Sequence, residues 1–370
     1  MHDIRRQSLL RSRVFTLFGY GTRSVPATLV IALAALAASA RPAAAQLPEL
    51  RHGAAVPKEV RDCYDRALAY LAASQGERGD WPEAGQQGPG ITGLCLLALL
   101  ASGEDPNFGP YSRNVRKALA SIIESQDART GCIGPGNMYH HGFAMLALAE
   151  AYGAVDDRNL WEQGGRDRPS IGQSLELAVR CAITSQDQNP FGGWRYSPNA
   201  RDADTSVSGA VFVGLLAARN AGIEVPDKNI ERALAYYKQM TSNDGSVGYA
   251  GGMGGPGGSE ARSSIATLIY AVARRKDLKE YAATLSYVKD SSQHGNTGHY
   301  AEYTAYYEAQ ALYQGAPDAW EKWNALEIRR LKKAQQPDGS FPGQHGPAYG
   351  TAMSALALAV NYRFLPIYER

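Results

Sequence analysis

The stretch ASQGERGDW, residues 73–81, recurs in altered form along the chain and decides the fold. Five related phrases follow at intervals of about 40 to 60 residues: ESQDARTGC (124–132), TSQDQNPFGGW (184–194), MTSNDGSVG (240–248), SSQHGNTGHY (291–300) and AQQPDGSF (334–341). Each phrase ends one amphipathic stretch and, after a polar Gly-rich turn, precedes a second stretch that is more apolar. Repeats of this length are typical of stacked helix pairs. The sequence therefore predicts an all-α protein of six helix pairs.

The two helices of each pair differ in where they carry apolar residues. The first, as in PKEVRDCYDRALAYLAASQ (57–75), has one apolar stripe and a charged face, whereas the second, as in GITGLCLLALLASG (90–103), is apolar nearly all round. Because a helix that is apolar on every side must be surrounded by other helices, the second helices are expected to form an inner layer. An open superhelix is the alternative, but no atypical terminal repeat marks a cap. We therefore predict a single closed α6/α6 toroid over residues 46–370.

The first 45 residues have the layout of a secretory signal. A basic lead that includes Arg5 and Arg6 precedes the apolar core ATLVIALAALAASA (27–40), and RPAAAQ (41–46) offers a small-residue cleavage site after Ala45. The apolar core is too short to span a membrane. An uncleaved anchor is the alternative interpretation. We expect an exported protein, periplasmic or extracellular.

The net charge limits the classes of partner, and the cysteine content limits the disulfides that the chain could form. Residues 46–370 hold 32 basic and 35 acidic side chains, a net charge of about −3 with histidine neutral. This balance predicts no nucleic-acid partner and no polybasic membrane patch, and it leaves peripheral membrane contact and oligomeric state open. Four cysteines could form up to two disulfides in one of three pairings, and a buried free thiol fits Cys95 equally well: Cys63, Cys95, Cys132 and Cys181.

The turn phrases carry a family resemblance. The pattern Gln-x-x-x-Gly-x-Trp is seen as Gln75 to Trp81, as Gln186 to Trp194 with a longer turn, and in weaker form as Gln336 to Phe341. It resembles the QW-type repeat of squalene-hopene cyclases, whose superfamily also contains the protein prenyltransferase β subunits. The resemblance implies an α/α toroid, and the glutamine is expected to cap the outer helix and stack on the aromatic ring.

The prenyltransferase relatives imply a zinc site that this chain does not reproduce. Their Asp-x-Cys pair follows a Gly-rich loop that GGMGGPGG (251–258) resembles, but the matching residues here are Glu260, Ala261 and Arg262. Tyr303 stands where their histidine would fall. Zinc needs three or four thiolate, imidazole or carboxylate ligands, so we predict no metal and no other cofactor. Three histidines nearby do not complete a set: His140, His141 and His299.

The cyclase relatives imply an acid-initiated reaction at GGWRYSPNARDADTSVSGA (192–210). Matched to their Asp-x-Asp-Asp motif, Asp204 is the general acid, Asp202 its partner, and Thr205 replaces the last carboxylate. Such chemistry needs two carboxyls close enough that both do not ionise, in a site that excludes water. The toroid is expected to enclose an apolar central cavity edged by tyrosines. Side chains at or near the inner-helix starts are expected to contact an isoprenoid or other apolar ligand there: Tyr139, His141, Tyr300, Tyr303, Tyr306, Tyr307 and Tyr349.

Three functions remain open from the sequence. The first is a terpenoid cyclase or isomerase that uses Asp204. In the second, the run from Asp204 to Ser206 is only a helix N-cap, where the helix favours the carboxylate anion, and the protein is a scaffold for a lipid or protein. In the third, the barrel acts on a polysaccharide, with Glu302, His299 and nearby tyrosines at the site. The loop at 251–258 is interpreted as a mobile lid, with a plain linker as the alternative.

Overall fold

The computed structural model of this chain consists mainly of α-helices arranged in two layers. It describes residues 56–82, 88–134, 136–161, 168–250, 259–294 and 300–368. The predicted signal segment at 1–45, the Gly-rich stretch at 251–258 and His299 lie outside the described residues. In the described part no helix is both long and apolar enough to cross a bilayer.

Twelve α-helices occur in the described residues. They are α1 (Lys58–Ser74), α2 (Pro89–Leu100), α3 (Ser112–Glu124), α4 (Met138–Ala151), α5 (Ile171–Gln188), α6 (Thr205–Asn220), α7 (Asp227–Met240), α8 (Glu260–Val272), α9 (Lys279–Ser291), α10 (Ala301–Gly315), α11 (Pro317–Ala334) and α12 (Pro347–Ala359). Short 3-10 helices also occur in these residues, at Asp157–Asn159, Ser292–His294 and Pro366–Tyr368. No strand is formed in these residues, so the all-α prediction is confirmed.

Odd-numbered and even-numbered helices occupy different layers. In α3 the buried residues form one stripe that includes Val115, Leu119 and Ile122, whereas α2 buries every residue from Pro89 to Leu99. The even-numbered helices contact one another in the order α2, α4, α6, α8, α10, α12, and α12 contacts α2 again. The inner layer is therefore a closed ring, which confirms the predicted α6/α6 toroid.

The repeated turn phrase ties each outer helix to the turn that follows it. The indole Nε1 of Trp81 donates to the carbonyl of Leu71 in the last turn of α1 (2.9 Å). The Gln75 amide donates instead to Gly79 in the turn (3.0 Å) and to Asn114 in the next outer helix (3.0 Å). This corrects the expectation for the glutamine, because the tryptophan caps the outer helix and the glutamine bridges to the next repeat.

The same bridge closes the ring between the last and first repeats. Gln335, not the predicted Gln336, donates to Gly339 (3.0 Å) and to Cys63 of α1 (2.8 Å). Gly339 has φ +93°, and a Cβ on it would lie 2.3 Å from the Arg66 carbonyl oxygen. Four other turn glycines approach the next outer helix with positive φ: Gly79, Gly131, Gly192 and Gly245.

The C-terminal segment crosses the end of the ring at which the inner helices end. Phe364 packs against Gly103, just after α2, and the Ile367 amide donates to Glu150 near the end of α4 (3.4 Å). The 3-10 turn Pro366–Tyr368 also contacts α6. The opposite end, where the inner helices begin, holds the cavity described below.

One disulfide links neighbouring repeats. Cys132 in the α3–α4 turn is bonded to Cys181 in α5, with Cα atoms 5.3 Å apart. Cys63 and Cys95 are buried thiols outside any disulfide, and burial raises the pKa of Cys63 to about 11. Of the pairings left open by the sequence, the structure therefore contains this one.

Candidate functional site

A cavity of about 860 Å³ lies where the six inner helices begin. Every inner helix contributes to its wall, from Ile91 of α2 to Tyr349 of α12. Because the partial positive charge of a helix lies at its N-terminus, the six helices direct their positive ends toward this space. Seven tyrosines dominate the wall: Tyr139, Tyr196, Tyr249, Tyr287, Tyr300, Tyr303 and Tyr349.

The wall is amphipathic, which corrects the expectation of an apolar cavity edged by tyrosine. Larger apolar side chains come from α2 and α4, as Ile91, Leu94 and Phe143. The other contributors carry hydrogen-bonding groups among the aromatic rings: Asn137, His140, Ser206, Ser259, Glu260, Arg262, Thr304 and His345.

Tyrosine hydroxyls at the cavity wall stay protonated. The hydroxyls of Tyr139 and Tyr303 lie 3.3 Å apart, and the Tyr303 ring packs edge-on against Tyr307, with ring centroids separated by 5.0 Å. Burial raises the pKa of all three phenols. They are therefore neutral at physiological pH, and Tyr139 and Tyr303 offer hydroxyl groups that both donate and accept hydrogen bonds.

Asp204 lies behind this wall as the N-cap of α6. Its side chain is fully buried, and Oδ1 accepts a hydrogen bond from the Val207 amide (2.7 Å). Oδ2 has no hydrogen-bond partner among the described residues, although the Arg195 Nε lies 3.5 Å away. Burial raises the pKa of the Asp204 carboxyl, opposed by the Val207 amide and the Arg195 charge. The capping interpretation is confirmed, and the acid role stays a prediction.

Asp202 and Thr205 take positions that differ from the predicted acid cluster. The Asp202 side chain is 62% exposed and pairs with Arg195 (3.2 Å), so a guanidinium contacts both carboxylates. A cation in that position favours two anions over a shared proton. The Thr205 hydroxyl donates to the Gly248 carbonyl (2.7 Å) and holds the α7–α8 segment.

Four of the seven predicted ligand contacts line the cavity: Tyr139, Tyr300, Tyr303 and Tyr349. His141, Tyr306 and Tyr307 lie behind it, and this corrects their assignment. The His141 Nδ1 accepts from Ile133 (3.1 Å) and its Nε2 lies 3.0 Å from the Ala178 carbonyl, while burial lowers its pKa to about 4. His141 is thus a neutral core histidine, and Tyr306 and Tyr307 are buried in the core.

Two tyrosines at the rim of the cavity are not among the predicted ligand contacts. Tyr196 and Tyr249 each stand four residues after a turn glycine, Gly192 and Gly245, and their hydroxyls lie 3.1 Å apart. Aligning the repeats on those glycines, rather than on the tryptophan, is the signal that finds them.

His140 lines the cavity and was not among the predicted ligand contacts. Its Nδ1 accepts from the Gly90 amide (3.3 Å), and burial lowers its pKa. The neutral ring therefore carries its proton on Nε2. No group of three or more His, Cys, Asp or Glu that could hold a metal ion occurs in the described part of the chain.

Fold and cavity together define the molecule as an α/α toroid with a tyrosine-rich central cavity. The chain belongs to the family described as Domain of unknown function (DUF6288), whose profile matches residues 63–355. No curated protein matches the sequence.

Several solved structures share the fold at low identity. An inactive variant of the GH76A alpha-1,6-mannanase of Salegentibacter sp. HEL1_6, bound to alpha-1,6-mannotriose, has a TM-score of 0.60 and 9% identity, over 82% of this chain and 99% of that one. The type II terpene cyclase MstE from Scytonema, bound to merosterolic acid A, has a TM-score of 0.56 and 15% identity, over 83% and 98%. A protein from Actinoplanes gives 0.54 and 13%, over 82% and 99%. At these identities the likeness concerns the fold alone.

Proposed function

We propose that this protein binds a carbohydrate chain in its central cavity. The observation that carries the proposal is the wall of seven tyrosines interleaved with other hydrogen-bonding side chains. A sugar presents apolar C–H faces and a belt of hydroxyls, and a phenol ring offers both a flat apolar face and a polar hydroxyl. An isoprenoid has no hydroxyl belt to pair with these groups. The mannanase of the same fold was solved with an oligosaccharide, which makes the proposal compatible with the architecture.

Among the described residues that line the cavity, Glu260 carries the carboxyl group that could take part in catalysis. It stands in the first turn of α8, where the helix favours the anion and thus a general-base role. Glycosidases usually work with two carboxyls about 5 to 9.5 Å apart. The described lining offers one carboxyl, so we propose binding of a glycan. Glu260→Gln is the variant that tests whether a bound glycan is also cleaved.

The test is calorimetric titration of the mature protein with neutral and acidic oligosaccharides of four to six sugars. We expect at least one to bind, and Tyr303→Phe to weaken it about two- to tenfold by removing one hydroxyl while keeping the ring. Tyr152→Phe is the matched control, because Tyr152 lies at the C-terminal end of α4, away from the cavity. Absence of binding across the panel would refute the proposal.

A second candidate function is acid-initiated isoprenoid cyclisation. The observation that favours it is the Oδ2 of the fully buried Asp204, which accepts no hydrogen bond from the described residues and lies two residues before the cavity-lining Ser206. The fold of this chain aligns with 98% of the terpene cyclase MstE, so a single toroid of this size is compatible with a cyclase. Asp204 would give the proton, supported by Asp202 and Thr205. Incubation with squalene and geranylgeranyl compounds tests it: a cyclised product lost in Asp204→Asn is required.

We also propose that the protein is exported and cleaved after Ala45. The Cys132–Cys181 disulfide fits an oxidising compartment. N-terminal sequencing of protein from the periplasmic or culture fraction checks this, and a retained Met1 in that material would contradict it.

A further inference from the structure

Two tyrosines at the rim of the cavity remain exposed although they are held in place. Tyr196 is 46% exposed and Tyr249 is 40% exposed, and both line the cavity. We call Tyr196 and Tyr249 the rim pair. Large aromatic side chains usually bury most of their surface in a folded protein, so this pair has surface available for a ligand.

The backbone of the rim pair is fixed to the starts of inner helices. The Tyr196 carbonyl accepts from the amide of Met138 at the start of α4 (2.8 Å). The Tyr249 carbonyl accepts from the amide of Thr205 at the start of α6 (2.9 Å). The backbone of both tyrosines is therefore held against the starts of inner helices.

The Arg195 side chain also contacts both rings of the rim pair. The Arg195 guanidinium lies 5.6 Å from the Tyr196 ring centroid and 5.5 Å from that of Tyr249. Arg195 is itself paired with Asp202 and Asp204, which limits its movement. Because the rings are already ordered, a ligand that stacks on them loses little side-chain entropy.

A third exposed tyrosine stands on the opposite side of the ring. Tyr300 is 54% exposed, lines the cavity and precedes α10. In the ring of inner helices α10 is three places from α4, to whose start Tyr196 is bonded. Exposed aromatic surface thus flanks the cavity on two opposite sides.

From this arrangement we infer that the ligand is an unbranched polysaccharide that extends beyond the cavity, with the rim pair and Tyr300 as outer subsites. A cavity of about 860 Å³ is of the size that holds one drug-sized molecule, so it accommodates a short oligosaccharide. Further sugars of a longer chain would stack on the outer tyrosines. The inference rests on the proposed glycan-binding function and adds that the substrate is polymeric.

The experiment is calorimetric titration of the mature protein with two series of two to eight sugars, α-1,6-linked mannose and β-1,4-linked glucose. We expect affinity in the binding series to increase beyond the trimer. The double variant Tyr196→Ala with Tyr249→Ala should weaken binding of the octamer about tenfold more than it weakens binding of the trimer. Replacing both with Phe should retain the gain, because the ring faces remain.

The control is Tyr152→Ala, which removes a tyrosine of similar exposure (41%) from the other end of the toroid. Trimer and octamer binding equally to the unaltered protein would overturn the outer subsites while leaving cavity binding intact. Equal weakening of trimer and octamer in the double variant, with its fold unchanged by circular dichroism, would also overturn them. If neither series binds, the proposed function falls as well.

Discussion

Replacing Gly339 by alanine tests how the ring is closed. Gly339 has φ +93°, and the new Cβ would lie 2.3 Å from the Arg66 carbonyl oxygen of α1. Gly222, after α6, has nearly the same φ, +92°, but a Cβ added there would have no atom within 4 Å. The pair therefore separates the conformational cost of alanine from the cost of separating the first and last repeats.

The expected magnitudes follow from these contacts. Both variants lose about 1–2 kcal/mol through the left-handed conformation of an L-residue. Gly339→Ala must also move the turn away from α1, which strains the Gln335–Cys63 and Arg66–Gln336 hydrogen bonds. Each is worth about 0.5–1.5 kcal/mol, so Gly339→Ala should lose about 1–3 kcal/mol more than Gly222→Ala.

Urea unfolding followed by circular dichroism measures the difference. A lower midpoint for Gly339→Ala, with an unchanged slope, is the expected result. Equal midpoints for the two variants would refute the reasoning, because they would mean that closure of the ring contributes nothing measurable to stability.

Three further predictions concern buried or cross-linked side chains. Burial raises the pKa of Glu308 from 4.5 to about 8, so the folded state keeps a proton that the unfolded chain releases, and stability falls as pH rises through that window. Glu308→Gln should remove up to about 4 kcal/mol of that fall between pH 5 and 9 in urea titrations; an unchanged pH profile would contradict it. Replacing Cys132 and Cys181 together by serine should cost about 4 kcal/mol, for a cross-link spanning 49 residues, and a reductant should then have no further effect. Asp204→Ala should lower stability by about 0.5–2 kcal/mol and Asp204→Asn by much less, because asparagine still caps α6; equal losses would show that the charge, not the cap, matters.

The sequence was sufficient for the fold because the repeat signal is redundant. Each turn phrase joins a helix with one apolar stripe to a helix apolar on all sides, and a two-layer ring buries both kinds. The register of the last turn phrase was not predicted correctly. Gln336 and Gln335 are adjacent, and the bridge to Cys63, which selects Gln335, joins residues 272 positions apart.

The residues of the cavity wall were predictable only where their position within a helix determines where they lie. Tyr303 and Tyr349 stand in the first turn of inner helices, and those turns form the cavity wall. His141 follows His140 by one residue, about 100° around the helix, and therefore points into the core. The role of Arg195, which contacts two carboxylates, depends on how the α5–α6 turn folds back and is not encoded in any spacing.

Closure by the last turn has a consequence for biosynthesis. The residues that join the two ends, Gln335 and Gly339, are added by the ribosome only after α1 to α11 have been made. Until then the growing protein is an open row of helix pairs with an unpaired flank at each end. Loss of the final repeat would therefore leave α1 without its neighbour as well, and a C-terminal truncation should damage the protein at both ends of the chain.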